Sequence, residues 1–532
     1  MIQKLFHVIN QTRPILKYGL ILLMFLFCLS SFLELLIVKF IEEFIQVKPE
    51  GIGIDFLGIN YSMSLQNMLR IFLGIILSKF IVEIVLNFAI NKFSYVFQNS
   101  ILHNLLPKYL LTFDPKISIE KKLNLLLVET RNLSHFYIKP IIKITYTVLL
   151  MVILLGYLIS IMGIEMLIYV GVIGIVSMIL INTILSISKK AGKQSGDLRE
   201  YNMNFLADIL NGSFEIKYFD ALENFKTRFF KSFHRQINSE LKKDISSNLF
   251  KPIIEMILLI SFVLLIFFTF ISNQEINFAQ LGVILFLMLK IIALVQQFTS
   301  SSANIKFYSK SLEVVFNEFR SKENQIITFG VASKQENIFE IDQLNYDYQD
   351  KKIFQNFSVE ITKNEIYYLK GPSGKGKTTL LNILSGNLMA AGVKLNPKYT
   401  IKDILYLRQD PHLFEMSLLQ NATMLNDQVN SDQISHNLKK VRLEEQIQLS
   451  DNVGPRGSKT SGGQKQKVNL LRVLLKSKPI IFLDEAFNSI DKKTRDKLFK
   501  EIIELKPDLI VFTSHDEDLV KFSTKIIDMD RL

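Results

Sequence analysis

Through the first 300 residues apolar positions come in long unbroken runs; beyond about residue 330 they come in short bursts between polar turns. Six runs, roughly 18 to 40, 68 to 90, 141 to 161, 166 to 188, 252 to 272 and 280 to 298, are long enough to cross a bilayer. About 20 apolar residues rising ~1.5 Å each cover a hydrocarbon layer of ~30 Å. The first run is too long, and too free of a small-residue cleavage site, for a removable signal sequence. Two intervals, of about 50 and 60 residues, separate runs two from three and four from five, and are too polar for lipid yet keep helical spacing, as in Phe205, Ile209, Ile216 and Phe219. They predict helices that continue out of the membrane and could carry motion to a cytoplasmic engine.

Lys and Arg resist translocation, so their distribution predicts topology. The N-terminal arm carries Lys4, Arg13 and Lys17, residues 91 to 140 carry seven more, and 189 to 251 carry twelve. The opposite loops, 46 to 67, 162 to 165 and 273 to 279, hold only Lys48. Both termini are therefore expected in the cytoplasm. Trp is absent, so an interfacial belt must use Tyr and Phe. Inside the runs lie Glu34, Lys39, Lys79, Glu83, Glu255 and Lys290. Lys79 and Glu83, four apart, share one helix face and can pair. Such charges either line a polar path or snorkel to water, and the sequence leaves both open.

Composition agrees with this picture. Hydrophobic residues make up 49% and charged residues 21% of 532, with mean hydropathy +0.25, which excludes a disordered or fibrous chain and disfavours an ordinary soluble enzyme. The length calls for at least two folded units. The net charge of +12 would suggest nucleic acid if it were spread evenly. Residues 331 to 532, however, hold 30 basic and 27 acidic side chains, so most of the excess sits in the apolar part and reflects topology rather than a nucleic-acid partner. The one cysteine, Cys28, lies in an apolar run, so neither an intrachain disulfide nor a cysteine metal site is available.

After Phe298 the chain turns polar at Thr-Ser-Ser-Ser, 299 to 302, and a charged amphipathic stretch runs to about 325. No Pro/Gly-rich tether follows, so a short, stiff connection is expected. The division is a six-helix all-α transmembrane domain over 1–325 and an α/β P-loop nucleotide-binding domain over 330–532.

In the second part, Ile366-Tyr-Tyr-Leu369 precedes Gly371, Pro372, Ser373, Gly374, Lys375, Gly376, Lys377, Thr378 and Thr379, and then helical Leu380 to Leu384. This is G-x-x-x-x-G-K-[ST] between a strand and a helix, the context the motif needs. The glycines let backbone N–H groups curl around phosphate oxygens at a helix N-terminus, Lys377 reaches the β/γ phosphates, and Thr378 is placed for Mg²⁺. A second apolar strand, Pro479 to Leu483, ends in Asp484 and Glu485, which suits a Mg²⁺ partner followed by an acid that polarises the attacking water. About twenty residues earlier stands Thr460-Ser461-Gly462-Gly463-Gln464, a second anion cradle opening a basic helical segment. Two phosphate cradles in one chain predict a dimer with ATP held between subunits.

At these residues the sequence resembles the ATP-binding-cassette transporters, whose signature is Leu-Ser-Gly-Gly-Gln. The resemblance implies that Ser461, Gly462, Gly463 and Gln464 face the γ-phosphate held by another cassette. It implies adenine stacking for Tyr348, for which core packing is the plain alternative, and Mg²⁺ contact with sensing of the membrane domain for Gln409. It places Asp491, in Asn488-Ser-Ile-Asp491, in the aspartate loop, and gives His515 a γ-phosphate contact. The remaining six histidines show no ligand spacing, so zinc is not supported. With six spans in front, the expected protein is an exporter-type half-transporter (the type I/type IV exporter fold) that uses ATP and Mg²⁺. Its partners would be a second half-transporter, membrane lipid and an amphipathic cargo, peptide or lipid-like. A homodimer is the simplest assembly because the catalytic set is complete; a heterodimer stays open, as does a drug-like cargo. The expected location is a bacterial plasma membrane, with the ATPase domain cytoplasmic.

Within the resemblance, Leu111-Thr-Phe-Asp114 and Ile216-Lys-Tyr-Phe-Asp220 look like the two coupling regions. The intervals from Lys377 to Gln409 and from Gln409 to Ser461 are shorter than the family leads one to expect, so both cassette subdomains look trimmed. Pro455 stands where exporters usually carry a glutamate. No cysteine protease segment precedes the spans, so a leader-cleaving subtype is not expected. The alternative class is a nucleotide-gated membrane regulator that binds ATP without pumping, and the intact Glu485 and His515 argue against it. A soluble repair-type ATPase shares the cassette chemistry but not the spans.

Overall fold

The structure is a computed structural model that describes residues 15–45, 52–56, 59–63, 65–111, 119–162, 166–211, 222–271, 278–320, 329–348, 351–426, 429–443 and 447–531. The chain divides into two compact units, the first running to Glu323 and the second from Asn324 to Leu532.

The first unit is helical apart from one hairpin. Its long helices are α1 (Ile15–Ile45), α2 (Leu65–Leu111), α4 (Lys139–Met162), α5 (Met166–Asn211), α6 (Leu222–Ile271) and α7 (Phe278–Phe307), and each contains one of the six apolar runs. Short α3 (Ile119–Leu123) leads toward α4, and α8 (Ser309–Arg320) ends the unit. Described stretches Tyr18–Phe44, Ile119–Ile161 and Leu281–Phe307 are long and apolar enough to cross a membrane. Helices α2, α5 and α6 run 46 to 50 residues, about 70 Å at 1.5 Å per residue, well beyond a bilayer core. Thr299 to Ser302 do not break α7, because the hydroxyls turn back onto the helix: Thr299 Oγ1 donates to the Val295 carbonyl at 2.8 Å. The proposed coupling segments 112–114 and 216–220 lie outside the described residues.

Two features had no sequence signal. The loop after α1 forms an antiparallel hairpin, β1 (Ile52–Phe56) with β2 (Ile59–Met63). Between α3 and α4 the helix widens into π turns over Asn124–Glu129 and Asn132–Ile138. There Ser134 Oγ donates to the Thr130 carbonyl at 2.8 Å, and Ser94 Oγ on α2 takes up the Ser134 carbonyl at 2.8 Å. Buried Asn124, Glu129, Thr130, Asn132 and Ser134 make this a polar seam beside a largely aliphatic and aromatic core.

The second unit has two sheets. One is parallel in the order β11-β6-β10-β9-β8, built from β6 (Glu365–Lys370), β8 (Ile404–Leu407), β9 (Ile480–Asp484), β10 (Leu509–Thr513) and β11 (Lys525–Asp528). Strands β9 and β10 are buried throughout, as near-continuous apolar runs in a covered parallel sheet should be. The other sheet, in the order β3-β7-β4-β5, contains β3 (Gly330–Val331), β4 (Asn337–Tyr348), β5 (Lys351–Thr362) and β7 (Val393–Leu395). Helix α9 (Lys377–Leu384) shares a core with this second sheet and the inner face of the parallel one. Helices α10 (Leu418–Thr423), α11 (Ser431–Val441), α12 (Gly462–Leu475) and α13 (Lys492–Glu504) contribute to a separate core on the opposite side.

Candidate nucleotide site

Strands β6, β8, β9 and β10 are neighbours and parallel, so their carboxyl ends open on one edge. Each delivers predicted chemistry there: β6 the 371–379 loop, β8 Gln409, β9 Asp484 with Glu485, and β10 His515. Binding sites of open parallel sheets form at this edge because the loops there leave the sheet side by side.

The phosphate loop turns on Gly371, Gly374 and Gly376, at φ 149°, 84° and 94°. Gly376 is required twice over: a Cβ would lie 2.7 Å from Ile353 Cγ2 and 3.0 Å from the Phe354 ring. It caps α9, so the first amides of that helix face the loop. Lys377 is buried, and its ammonium donates to the carbonyls of Gly371 (2.6 Å) and Pro372 (3.1 Å), closing the loop on itself. Pro372, Ser373, Gly374, Lys375 and Thr378 are exposed around it, and Thr379 is half-buried.

The acid pair is held by donors. Asp484 accepts from Thr513 Oγ1 at 2.8 Å and from the Tyr406 hydroxyl at 3.1 Å. Burial, together with the nearby carboxylate, pushes the Tyr406 phenol well above its ordinary pKa, so it remains a donor. Glu485 has φ 50°, in the left-handed region that bulky side chains avoid, and its N–H donates to Thr513 Oγ1 at 2.9 Å. Its Oε2 accepts from Gln409 Nε2 and Asn488 Nδ2, each at 2.7 Å, and its Oε1 lies 2.9 Å from His515 Nε2. The structure thus gathers Gln409, Glu485 and His515 into direct contact, with Asp484 alongside. Backbone strain at a buried carboxylate is the kind of feature that clusters at functional sites.

Ser461 caps α12: its hydroxyl accepts from the Gln464 N–H at 3.2 Å, and Gln464 Oε1 accepts from the Ser461 N–H at 2.8 Å. Gly462 and Gly463 form the first turn. A Cβ on Gly463 would lie 2.7 Å from the Ser489 carbonyl oxygen, so this glycine also allows α12 to approach the 488–491 loop, where Gln466 Oε1 accepts from the Ser489 N–H at 2.8 Å. Asp491 caps α13 by accepting from the Thr494 N–H at 2.9 Å, which holds its carboxyl below the usual range. Tyr348 ends β4 opposite Lys351; its side chain lies outside the described residues. Pro455 opens a single 3₁₀ turn after Gly454.

Sequence reasoning missed several of these groups. Thr513 and Tyr406 orient Asp484 but belong to no motif, and Asn488, which opens the aspartate loop, carried no signal for its bond to Glu485. Arg472 on α12 donates to the carbonyls of Asn421 (3.0 Å) on α10 and His412 (3.2 Å), tying the signature helix to α10 and to the loop after Gln409. Burial among neutral partners pulls its guanidinium down to about 10.

A phosphate loop, an acid pair and a histidine converging on one edge of a parallel sheet define a P-loop ATPase cassette. Residues 354–488, within the second unit, match the ABC transporter family model. The chain is 27% identical over 370 residues (64% of it, 50% of the relative) to the lactococcin-A transport/processing ATP-binding protein LcnC of Lactococcus lactis subsp. lactis. It is 32% identical over 202 residues to the microcin-J25 export ATP-binding/permease protein McjD of Escherichia coli, covering 34% of this chain and 34% of that protein. It is 29% identical over 208 residues to the ATP-dependent lipid A-core flippase of Francisella novicida, covering 36% and 35% respectively. The chain thus spans about half the length of the first and about a third of the others. Its fold matches that of a bacterial Atm1-family ABC exporter solved with ATP bound, with TM-score 0.79 over 97% of this chain and 94% of that one, at 16% identity.

Proposed function

We propose that the chain is one half of an ATP-driven exporter, in which two halves close on ATP and hydrolysis resets them. The observation that carries this reading is the contact set around Glu485: a general base, a glutamine and a histidine meet at the sheet edge beside a phosphate loop. The relatives are named for export of peptides and for flipping of a lipid, which supports an amphipathic cargo, peptide or lipid-like. The long helices and the distribution of Lys and Arg support a multi-pass protein of the bacterial plasma membrane with its cassette in the cytoplasm.

In this reading the 371–379 amides and Lys377 hold the β and γ phosphates, and Tyr348 packs on the base. Glu485 orients the attacking water and takes its proton, and His515 holds the γ-phosphate oxygens. Thr378, Gln409 and Asp484 offer hard oxygen donors that fit Mg²⁺, which when bound neutralises phosphate charge. Gln409 and His515 must then exchange their bonds to Glu485 for the nucleotide side of the site, freeing the carboxylate for water. Ser461 to Gln464 of one half complete the pocket of the other, and Asp491 stands at the same junction. A homodimer suffices, because this chain supplies every role.

The test is ATPase activity of the purified chain in lipid, with and without candidate peptides and lipids. Glu485→Gln should retain ATP binding and lose steady-state hydrolysis. Unchanged hydrolysis in that variant would refute the assignment.

A further inference from the structure

Helix α13 is capped by Asp491, inside the loop that α12 touches through Gln466, and one turn later carries a buried arginine. The Arg495 side chain is only 5% exposed, and its backbone N–H donates to the Asp491 carbonyl at 2.9 Å. Its guanidinium pairs with the Asp516 carboxylate and bonds Asp496 Oδ1 at 3.2 Å through both Nε and Nη2. Asp496 is in turn held by Lys521 at 2.5 Å. Asp516 is the residue immediately after His515.

The loop that presents His515 is fixed from both sides. Thr513 is tied to Asp484 and to the Glu485 amide, and the Ser514 carbonyl accepts from the Tyr368 hydroxyl at 3.1 Å. Asp516 donates its N–H to Ser514 Oγ and accepts from the Asp518 N–H, both at 2.9 Å, while Asp518 pairs with Lys492 at the start of α13. Within this set Arg495 is the buried cation. A charge placed so deeply is stable only while it is paired, so the helix and the loop cannot separate without large cost. His515 itself is more than half exposed and touches Glu485.

We infer that Arg495, through Asp516, is a positioning residue that sets His515 and makes its placement follow that of α13 and the 488–491 loop. The route runs from the α12 cap through Gln466 and Ser489 to Asp491, then through Arg495 and Asp516 to His515. It links the cradle that one half offers its neighbour to the histidine acting on that half's own nucleotide. The inference rests on the ATP-hydrolysing reading above and adds to it a device by which contact at one pocket is felt at the other.

The experiment uses the full chain in lipid nanodiscs and compares Arg495→Met, Arg495→Lys, Asp516→Asn and the double variant Arg495→Met/Asp516→Asn. Four quantities are measured: kcat, KM for ATP, the ratio of ATP to ADP affinity, and the melting temperature. Losing one charge-assisted hydrogen bond predicts a drop in kcat of about 10-fold, and a similar loss of preference for ATP over ADP, in Arg495→Met and Asp516→Asn, with ADP affinity kept. Arg495→Lys should recover part of both. The double variant should be no worse than the poorer single one, because both act through one contact. Singles that match wild type, or a double loss equal to the product of the singles, would overturn the inference. If Arg495→Met does not fold, Asp516→Asn carries the test alone, since it removes a half-exposed carboxylate and leaves the arginine bound to Asp496. A wild-type chain that neither hydrolyses ATP nor prefers it to ADP would sink the parent reading and this inference together. A wild type that does both beside unchanged variants sinks only the role of Arg495.

Discussion

Two buried glutamates show how differently the two units use charge. Glu34, on α1, lies between two ammonium groups: Lys79 at 3.1 Å and Lys290 at 2.8 Å. Lys79 also donates to Ser30 Oγ (2.7 Å) and the Ser30 carbonyl (3.0 Å), Ser30 bonds the Tyr146 hydroxyl at 2.8 Å, and Glu83 lies 3.3 Å from Lys79. Four helices, α1, α2, α4 and α7, meet in that network. Glu485 is also buried, yet its partners are two amides and a histidine at the open edge of a sheet. Fixed counter-charges make Glu34 a fastening; the proposed function instead has Glu485 exchange its donors and act as a base. The same residue type serves opposite ends because of what surrounds it.

The strongest way to break this comparison is Glu485→Gln. Removing a general base lowers turnover by about 10²–10⁴-fold. Phosphate release should fall by that much, while titration with a fluorescent nucleotide still gives wild-type ATP affinity. On the other side, Lys79→Met removes one of Glu34's two counter-charges. Breaking a buried pair costs up to about 3–5 kcal/mol, and Lys290 should retain part of that. A fall in melting temperature in detergent that is smaller when Glu34→Gln accompanies it would confirm the fastening; additive losses would refute it.

Gly463→Val sharpens a finer point. The new Cβ meets the Ser489 carbonyl oxygen, and overpacking of this kind costs about 1–3 kcal/mol. Lower thermal stability together with weaker ATP hydrolysis is the expected outcome, and unchanged stability would show that α12 yields freely.

The smallest effect concerns Glu340. The N–H groups of Ser333 and Lys334 pull its carboxyl down to about 2, aided by the Ser333 hydroxyl and the Asn337 amide. Its folded pKa lies below the unfolded value, so its stabilisation is present above about pH 4.5 and fades as pH falls toward 2. Glu340→Gln should flatten acid unfolding in that window and leave neutral-pH turnover unchanged, as acid titrations of the two proteins would show.

The cassette was far more legible than the helical unit, for a physical reason. Phosphate binding demands particular residues at fixed spacing in a strand-to-helix turn, so residues 371–379, 484–485 and 461–464 announce themselves. Apolar runs announce length and little else. The pairing of Lys79 with Glu83 followed from helix geometry, but its bond to Glu34, 45 positions away in sequence, depends on how α1 and α2 pack. The β1–β2 hairpin and the π turns at 124–138 depend on neighbours in the same way. Even in the cassette, Arg472 and Arg495 belong to no motif, and only their contacts in the fold single them out. From the sequence Gly463 reads only as a phosphate contact, because a close backbone approach leaves no trace in a single sequence.

The central claim is that each half completes its neighbour's pocket, and inter-chain cross-linking tests it most directly. In a Cys28→Ser background, one tagged chain carries Ser373→Cys and a differently tagged chain carries Ser461→Cys; both positions are exposed. The account predicts a disulfide joining the two tags when ATP is present in the Glu485→Gln form. No joined product between the chains with ATP bound, alongside ready cross-linking when both cysteines sit in a single chain, would contradict it.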